Sequence, residues 1–191
     1  GGFDGFGVRA FRLASDRATT VGLADTSALF GEIRQPNRPY LAIPKVSSER
    51  RVVFPIALLG SNVIASGSLL ILPGAGRYEL GVLSSSMQLA WLRGVGGRLE
   101  SRLQFSSSLV YNNFPWPENP TDTHKQKIET AAQAVLDARA AHPTASLADL
   151  YDPLTMPPNL VKAHQALDAA VDGAYGRKNF GNDAERVAFL F

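Results

Sequence analysis

The chain has 191 residues, 45% hydrophobic and 19% charged, with a formal net charge of +2 and no cysteine. That length holds one ordinary domain or a domain with a small appendage, and the balance is that of a folded chain rather than a disordered one. Disulfides, thiolate metal sites and cysteine nucleophiles are excluded. No apolar run approaches the roughly 20 residues that cross a bilayer, so a membrane-free, reducing, cytoplasmic setting is expected.

The first residues, Gly1-Gly2-Phe3-Asp4, carry no initiator methionine and no basic leader, as in a cut made inside a longer protein. Val8, Phe11 and Leu13 among Arg9, Arg12 and Arg17 predict a short strand or extended arm over 9–20. Gly31 to Pro39 reads as a loop broken by Pro36, Asn37 and Pro39. Tyr40 to Ile43 is a predicted strand ended by Pro44, and Lys45 to Arg51 a polar turn. Val52 to Ile56 is a predicted strand, with Pro55 placing it at an edge or end. Val63-Ile64-Ala65 and Leu69 to Leu72 read as two strands parted by a turn or bulge at Ser66-Gly67-Ser68. Leu83, Met87 and Trp91 recur every four residues, so Tyr78 to Val95 is a predicted helix, stopped at Gly94-Val95-Gly96-Gly97.

From Arg98 the period becomes two. Leu99, Ser101, Leu103 and Phe105 alternate with Glu100, Arg102 and Gln104, which predicts one strand with a polar face. Tyr111 to Pro117 is a rigid connector, because Pro115 and Pro117 prevent helix and ladder alike. The chain then turns alanine-rich. Helices are predicted over 125–141, beginning near Asp122 or Thr123, over 146–150 capped by Ser146, over 159–175, and from Asp183 to the end. The expected fold is therefore α+β, with a mixed or antiparallel-sheet domain over 1–118 and an all-helical domain over 119–191. The first carries a charge of +4, almost all its cations being arginine, and the second −2.

Nothing in the sequence amounts to a catalytic centre. His124, His142 and His164 all lie in the helical part without metal-ligand spacing, and His164 reads as a packing or capping residue. Gly94 to Gly97 follows a helix and opens a strand, unlike a dinucleotide loop. The runs Ser84–Ser86 and Ser106–Ser108 lack the elbow of a serine hydrolase. No catalytic residue, no metal and no cofactor is expected in this chain.

The chemistry present is that of nucleic-acid contact. On a strand Glu100, Arg102 and Gln104 would share a face. Glutamate accepts from cytosine N4 and arginine forks onto guanine O6 and N7, so Glu100 and Arg102 together match one C·G pair; an ordinary surface ion pair is the alternative. The Lys45–Arg51 turn offers hydroxyls, backbone N–H groups and cations suited to phosphate, or is a plain polar loop. Arg50, Arg51 and Arg98 flank these groups as phosphate-contact candidates, Arg50 having Glu49 as an alternative partner.

Six stretches carry a resemblance. They are Tyr40 to Arg51, Val63 to Ser66, Gly81 to Met87, Tyr111 to Pro117, Leu150 to Pro153 with Met156-Pro157, and Ala163-His164-Gln165. Together they resemble the C-terminal third of MmeI-like adenine-specific DNA methyltransferases, single-chain bacterial restriction–modification enzymes. The resemblance runs from about Val8 to the end. It implies a double-stranded DNA partner and a parent that binds S-adenosylmethionine through a catalytic methyltransferase domain, whose Asn-Pro-Pro-Tyr motif does not occur here. It also implies base readers at Lys45, at Gly67 and Ser68, and at Glu100, Arg102 and Gln104. Glycine has no side chain, so readout there falls to Ser68 or to the backbone. A module that only docks the catalytic domain or a second copy, without reading bases, remains the alternative.

Overall fold

The computed structural model describes residues 5–32 and 34–191. Gly1 to Asp4, and Ile33 within the expected 31–39 loop, lie outside the described residues. The chain divides into two compact units, Gly1–Gln35 and Pro36–Phe191.

In the first unit the expected strand or arm is helical instead. Helix α1 spans Gly5–Leu13, α2 spans Ala18–Val21, and a 3-10 turn follows at Ala24–Thr26. The arginines, rather than the apolar residues, explain this. Arg9 and Arg12 are three apart, so they share a helical face. Arg9 pairs with Asp25 at 3.1 Å, and Arg12 donates to the carbonyls of Leu23 at 2.6 Å and Thr26 at 3.1 Å. Phe11 and Leu13 stay exposed, so their spacing carried no core signal.

The second unit is α+β. Strand β1, Tyr40–Pro44, is buried over its first four residues because it lies between two antiparallel neighbours, β3 (Ala57–Leu59) and β4 (Leu69–Pro73). A second three-stranded sheet has the order β2 (Val46–Ser47), β6 (Arg102–Gln104), β5 (Gly97–Leu99). The chain passes from β1 to β2 through one residue, Lys45, so the expected polar turn over Lys45 to Arg51 begins with a short strand and is confined to Ser48–Arg51, closed by Arg51 N donating to the Ser48 carbonyl.

Two expected strands are absent. Val52 to Ile56 makes no ladder; Pro55 has no N–H, and β3 begins just beyond it. The stretch still buries Val53, Phe54 and Ile56. Val63 to Ala65 belongs to the connection that returns from β3 across β1 to β4, where the Tyr40 hydroxyl donates to the Val63 carbonyl at 2.6 Å.

The single expected helix over 78–95 is two, α3 (Arg77–Leu83) and α4 (Ser86–Val95). Ser85 breaks it: its hydroxyl donates to the Val82 carbonyl at 2.7 Å and accepts from the Gln88 N–H, competing with the helical ladder and capping α4. A π-helical turn at Ser107–Tyr111 seats Trp91, whose Nε1 donates to the Val110 carbonyl at 3.0 Å.

The helical region follows the sequence pattern. It comprises α5 (Asp122–Ala140), α6 (Leu147–Leu150), α7 (Pro158–Ala174) and α8 (Asp183–Leu190). Thr121, Ser146 and Asn182 cap three of these by accepting from N–H groups of the first turn. Ile128, Ala132, Leu160, Leu167 and Val171 from this region join Leu80, Leu83, Met87 and Leu92 in one core.

Candidate nucleic-acid interface

The change of sheet at Lys45 assembles the site. The Lys45 N–H donates to the Ser68 carbonyl at 3.0 Å, and its own carbonyl accepts from Phe105 N at 2.8 Å. Val46 pairs with Gln104 across β2 and β6. The Lys45 ammonium donates to the Gly67 carbonyl at 2.7 Å, and the Ser66 and Ser68 hydroxyls are 2.6 Å apart. Three stretches separated by 22 or more residues thus meet through main-chain bonds, with Lys45, Ser68, Arg102 and Gln104 all exposed.

Residues 98–105 correct the sequence reading. They do not form one strand. β5 and β6 are the arms of a hairpin in which Leu99 pairs with Arg102, leaving Glu100 and Ser101 as its turn. Glu100 has φ 58, in the left-handed region. A two-residue turn shifts the phase of the alternation, so Leu99 is 46% exposed while Leu103 is 1% exposed. Arg102 and Gln104 share a face; Glu100 sits at the tip and reaches Arg102 from there, Oε2 accepting from Nη2 at 2.8 Å. The surface ion pair left open by the sequence is therefore present.

The arginines differ in standing. Arg50 is exposed and makes no ion pair with Glu49 or any other carboxylate among the described residues. Arg98 is exposed on β5, and its Nη2 donates to the Arg93 carbonyl at 3.3 Å. Arg51 is half-buried, with Nη1 enclosed and unpartnered among the described residues. Beneath the turn lies a cleft of about 460 Å³ lined by Ser47, Ser48, Arg51 and Arg102. Among the described residues no cluster of His, Asp and Glu could hold a metal ion, and no helix is long and apolar enough to cross a membrane.

His164 is buried, with Nε2 2.7 Å from the Tyr151 hydroxyl, which accepts from Arg139 Nε at 2.7 Å. Burial, then the Arg139 charge, lowers the His164 pKa to about 3. It is a core residue, as its sequence setting suggests. Arg93, which donates to Asp183 and to the Arg51 carbonyl, had no sequence signal, since Asp183 stands 90 residues away and in no motif.

Residues 6–118 match the family described as MmeI, target recognition domain, and residues 120–191 that described as MmeI, C-terminal domain. The chain is 38% identical over 177 residues to DNA methyltransferase A of Bacillus subtilis (strain 168), a match covering 93% of this chain and 20% of that protein. It is 48% identical, with a TM-score of 0.85, to the type IIL restriction–modification enzyme MmeI solved in complex with DNA, over 98% of this chain and 25% of that one. The chain spans a fifth to a quarter of the length of these relatives.

Proposed function

The chain belongs to the MmeI family, as its target recognition domain followed by its C-terminal domain, and from that premise we propose that it reads a specific duplex DNA sequence for a larger adenine-N6 methyltransferase. The reaction belongs to the parent's catalytic domain, which would supply the S-adenosylmethionine site. The supporting observation is the convergence at Lys45: main-chain hydrogen bonds join it to Ser68 and Phe105 and pair Val46 with Gln104, and its ammonium donates to the Gly67 carbonyl.

Lys45, Ser68, Glu100, Arg102 and Gln104 are the base readers in this reading, and Arg50, Arg51 and Arg98 meet phosphates. Arg51 turns outward to do so at little cost, because its enclosed Nη1 has no bond to break. The same reading divides the chain near residue 118, supported by family matches that end at 118 and resume at 120. The helical region makes few base contacts, its charge of −2 opposing close approach to phosphate.

The sharpest consequence concerns Glu100 and Arg102. They read one C·G pair, cytosine lying on the strand that bears the methylated adenine and next to it. Glu100→Lys with Arg102→Asp inverts donor and acceptor, so the double variant of the full-length parent favours G·C at that position. Each single variant loses about 1–3 kcal/mol of discrimination. Sequencing methylated sites in a host expressing these variants is the test; an unchanged preference returns both residues to a plain ion pair.

A further inference from the structure

The stretch Arg51 to Ile56 makes no ladder, yet it joins the Ser48–Arg51 turn to β3. Two arginines grip its ends by their carbonyls. Arg93, near the end of α4, forks: Nη2 donates to the Arg51 carbonyl at 2.9 Å and Nη1 to Asp183 Oδ2 at 2.6 Å. At the other end Arg139 Nη1 donates to the Ile56 carbonyl at 2.8 Å, while its Nε is held by the Tyr151 hydroxyl. Asp183, Arg139 and Tyr151 all belong to the helical region. Both ends of the stretch are therefore fixed from residues that the DNA-reading edge does not contain.

The Arg93–Asp183 pair is partly exposed, and a pair of that kind contributes little to stability by itself. Its geometry is what matters. A guanidinium is planar and presents donors in a fixed fork, so the carboxylate on one nitrogen orients the other toward the carbonyl. An ammonium on a flexible stem has no such fork. Without the carboxylate, Arg93 is free to turn into water and release the Arg51 carbonyl.

We propose that Asp183, acting through Arg93, is a positioning residue that holds the Ser48–Arg51 turn in the form that meets DNA phosphates. The helical region then serves DNA binding without touching DNA. This rests on the DNA-reading function proposed above.

The test uses the whole 191-residue chain carrying Asp183→Asn, Arg93→Lys or Asp183→Glu. Asn182 still caps α8 in all three. Amide hydrogen exchange reports the turn directly, and the salt dependence of binding to a random-sequence duplex reports phosphate contact. In Asp183→Asn and Arg93→Lys, exchange at Ser48 to Arg51 rises about tenfold while amides around Val135 and Leu167 keep their protection. The salt slope falls by about one, the loss of a single phosphate contact. Asp183→Glu, which can still reach Arg93, restores both. Unchanged exchange at the turn overturns the proposal. So does raised exchange with an unchanged slope, because the order of the turn would then not serve DNA. A wild-type chain with no salt-dependent binding overturns the DNA-reading function itself, and this proposal with it.

Discussion

Arg139 carries a permanent charge into the interior with two acceptors in place, the Ile56 carbonyl and the Tyr151 hydroxyl, and His164 shares the second. Replacing Arg139 by methionine strands the Ile56 carbonyl and leaves the Tyr151 hydroxyl its His164 contact alone, so Arg139→Met should lower the unfolding free energy by about 1–3 kcal/mol in urea titrations. His164 gives the acid response its sign. Its folded pKa, about 3, lies below the ordinary value of 6.5, so between the two the unfolded chain binds more protons. Its contribution is complete above about pH 6.5 and falls by about 1.4 kcal/mol for each unit of acidification toward 3. The buried carboxyls of Asp168 and Asp172, raised first by burial, act in the opposite sense, their contribution falling as pH rises through their raised pKa values. The difference between wild type and His164→Gln isolates the histidine; parallel stability curves over pH 3–6.5 would assign the acid limb to other groups.

The hairpin β5–β6 shows where sequence reading fails for an element. Alternation survives a two-residue turn unbroken on paper, so residues 98–105 read as one strand, while the turn transposes the faces of everything before it. Turns of this kind ordinarily announce themselves by glycine, asparagine or aspartate where φ is positive; here glutamate holds that place. The reading role proposed for Glu100 accounts for a choice that backbone propensity does not. Glu100→Gly should raise stability by about 1 kcal/mol through relief of the left-handed backbone, and abolish discrimination at one base pair in methylated-site sequencing. A destabilised variant would mean that the ion pair with Arg102 outweighs the backbone. Gly96 marks a second constraint. A Cβ there would collide with the Leu92 carbonyl and lie 3.3 Å from the Gln104 carbonyl, so Gly96→Ala should cost about 2 kcal/mol by prising the hairpin from α4. By contrast β1, β4 and the four tail helices were legible, because continuous apolar runs, the Ser146 cap and the prolines before α7 are signals local to each element. The proposed readers at 45 and 68 were legible only as members of a resemblance, and Gln104 from the alternation on its strand; what joins them is main-chain bonding between distant stretches, which no local pattern encodes.

At the scale of the molecule, the sequence boundary near 118 and the physical unit differ. Residues 36–191 are one compact body, and α3 lies so close to the tail that a Cβ on Gly81 would come within 2.6 Å of Ile128 Cγ2 and 3.1 Å of Leu167 Cδ1. Ending the chain at 118 would bare Leu80 and Leu83 to water. Fragment 1–118 should therefore show no cooperative thermal transition by circular dichroism, whereas residues 36–191 of the whole chain melt as one; a folded fragment would show the tail to be dispensable. The junction at Lys45 has a longer reach than any of these effects. Its main-chain bonds, Lys45 N–H to the Ser68 carbonyl and Phe105 N–H to the Lys45 carbonyl, are indifferent to side-chain identity, whereas the Lys45 ammonium and the Ser66–Ser68 hydroxyls add bonds that are not. Lys45, Ser68, Arg102 and Gln104 are exposed, where substitutions usually change stability by less than about 0.5 kcal/mol. Their identities are thus nearly decoupled from the scaffold that displays them. Under the reading function proposed above, a lineage can pass from one target sequence to another by exchanging these side chains, with the main-chain junction unchanged beneath them.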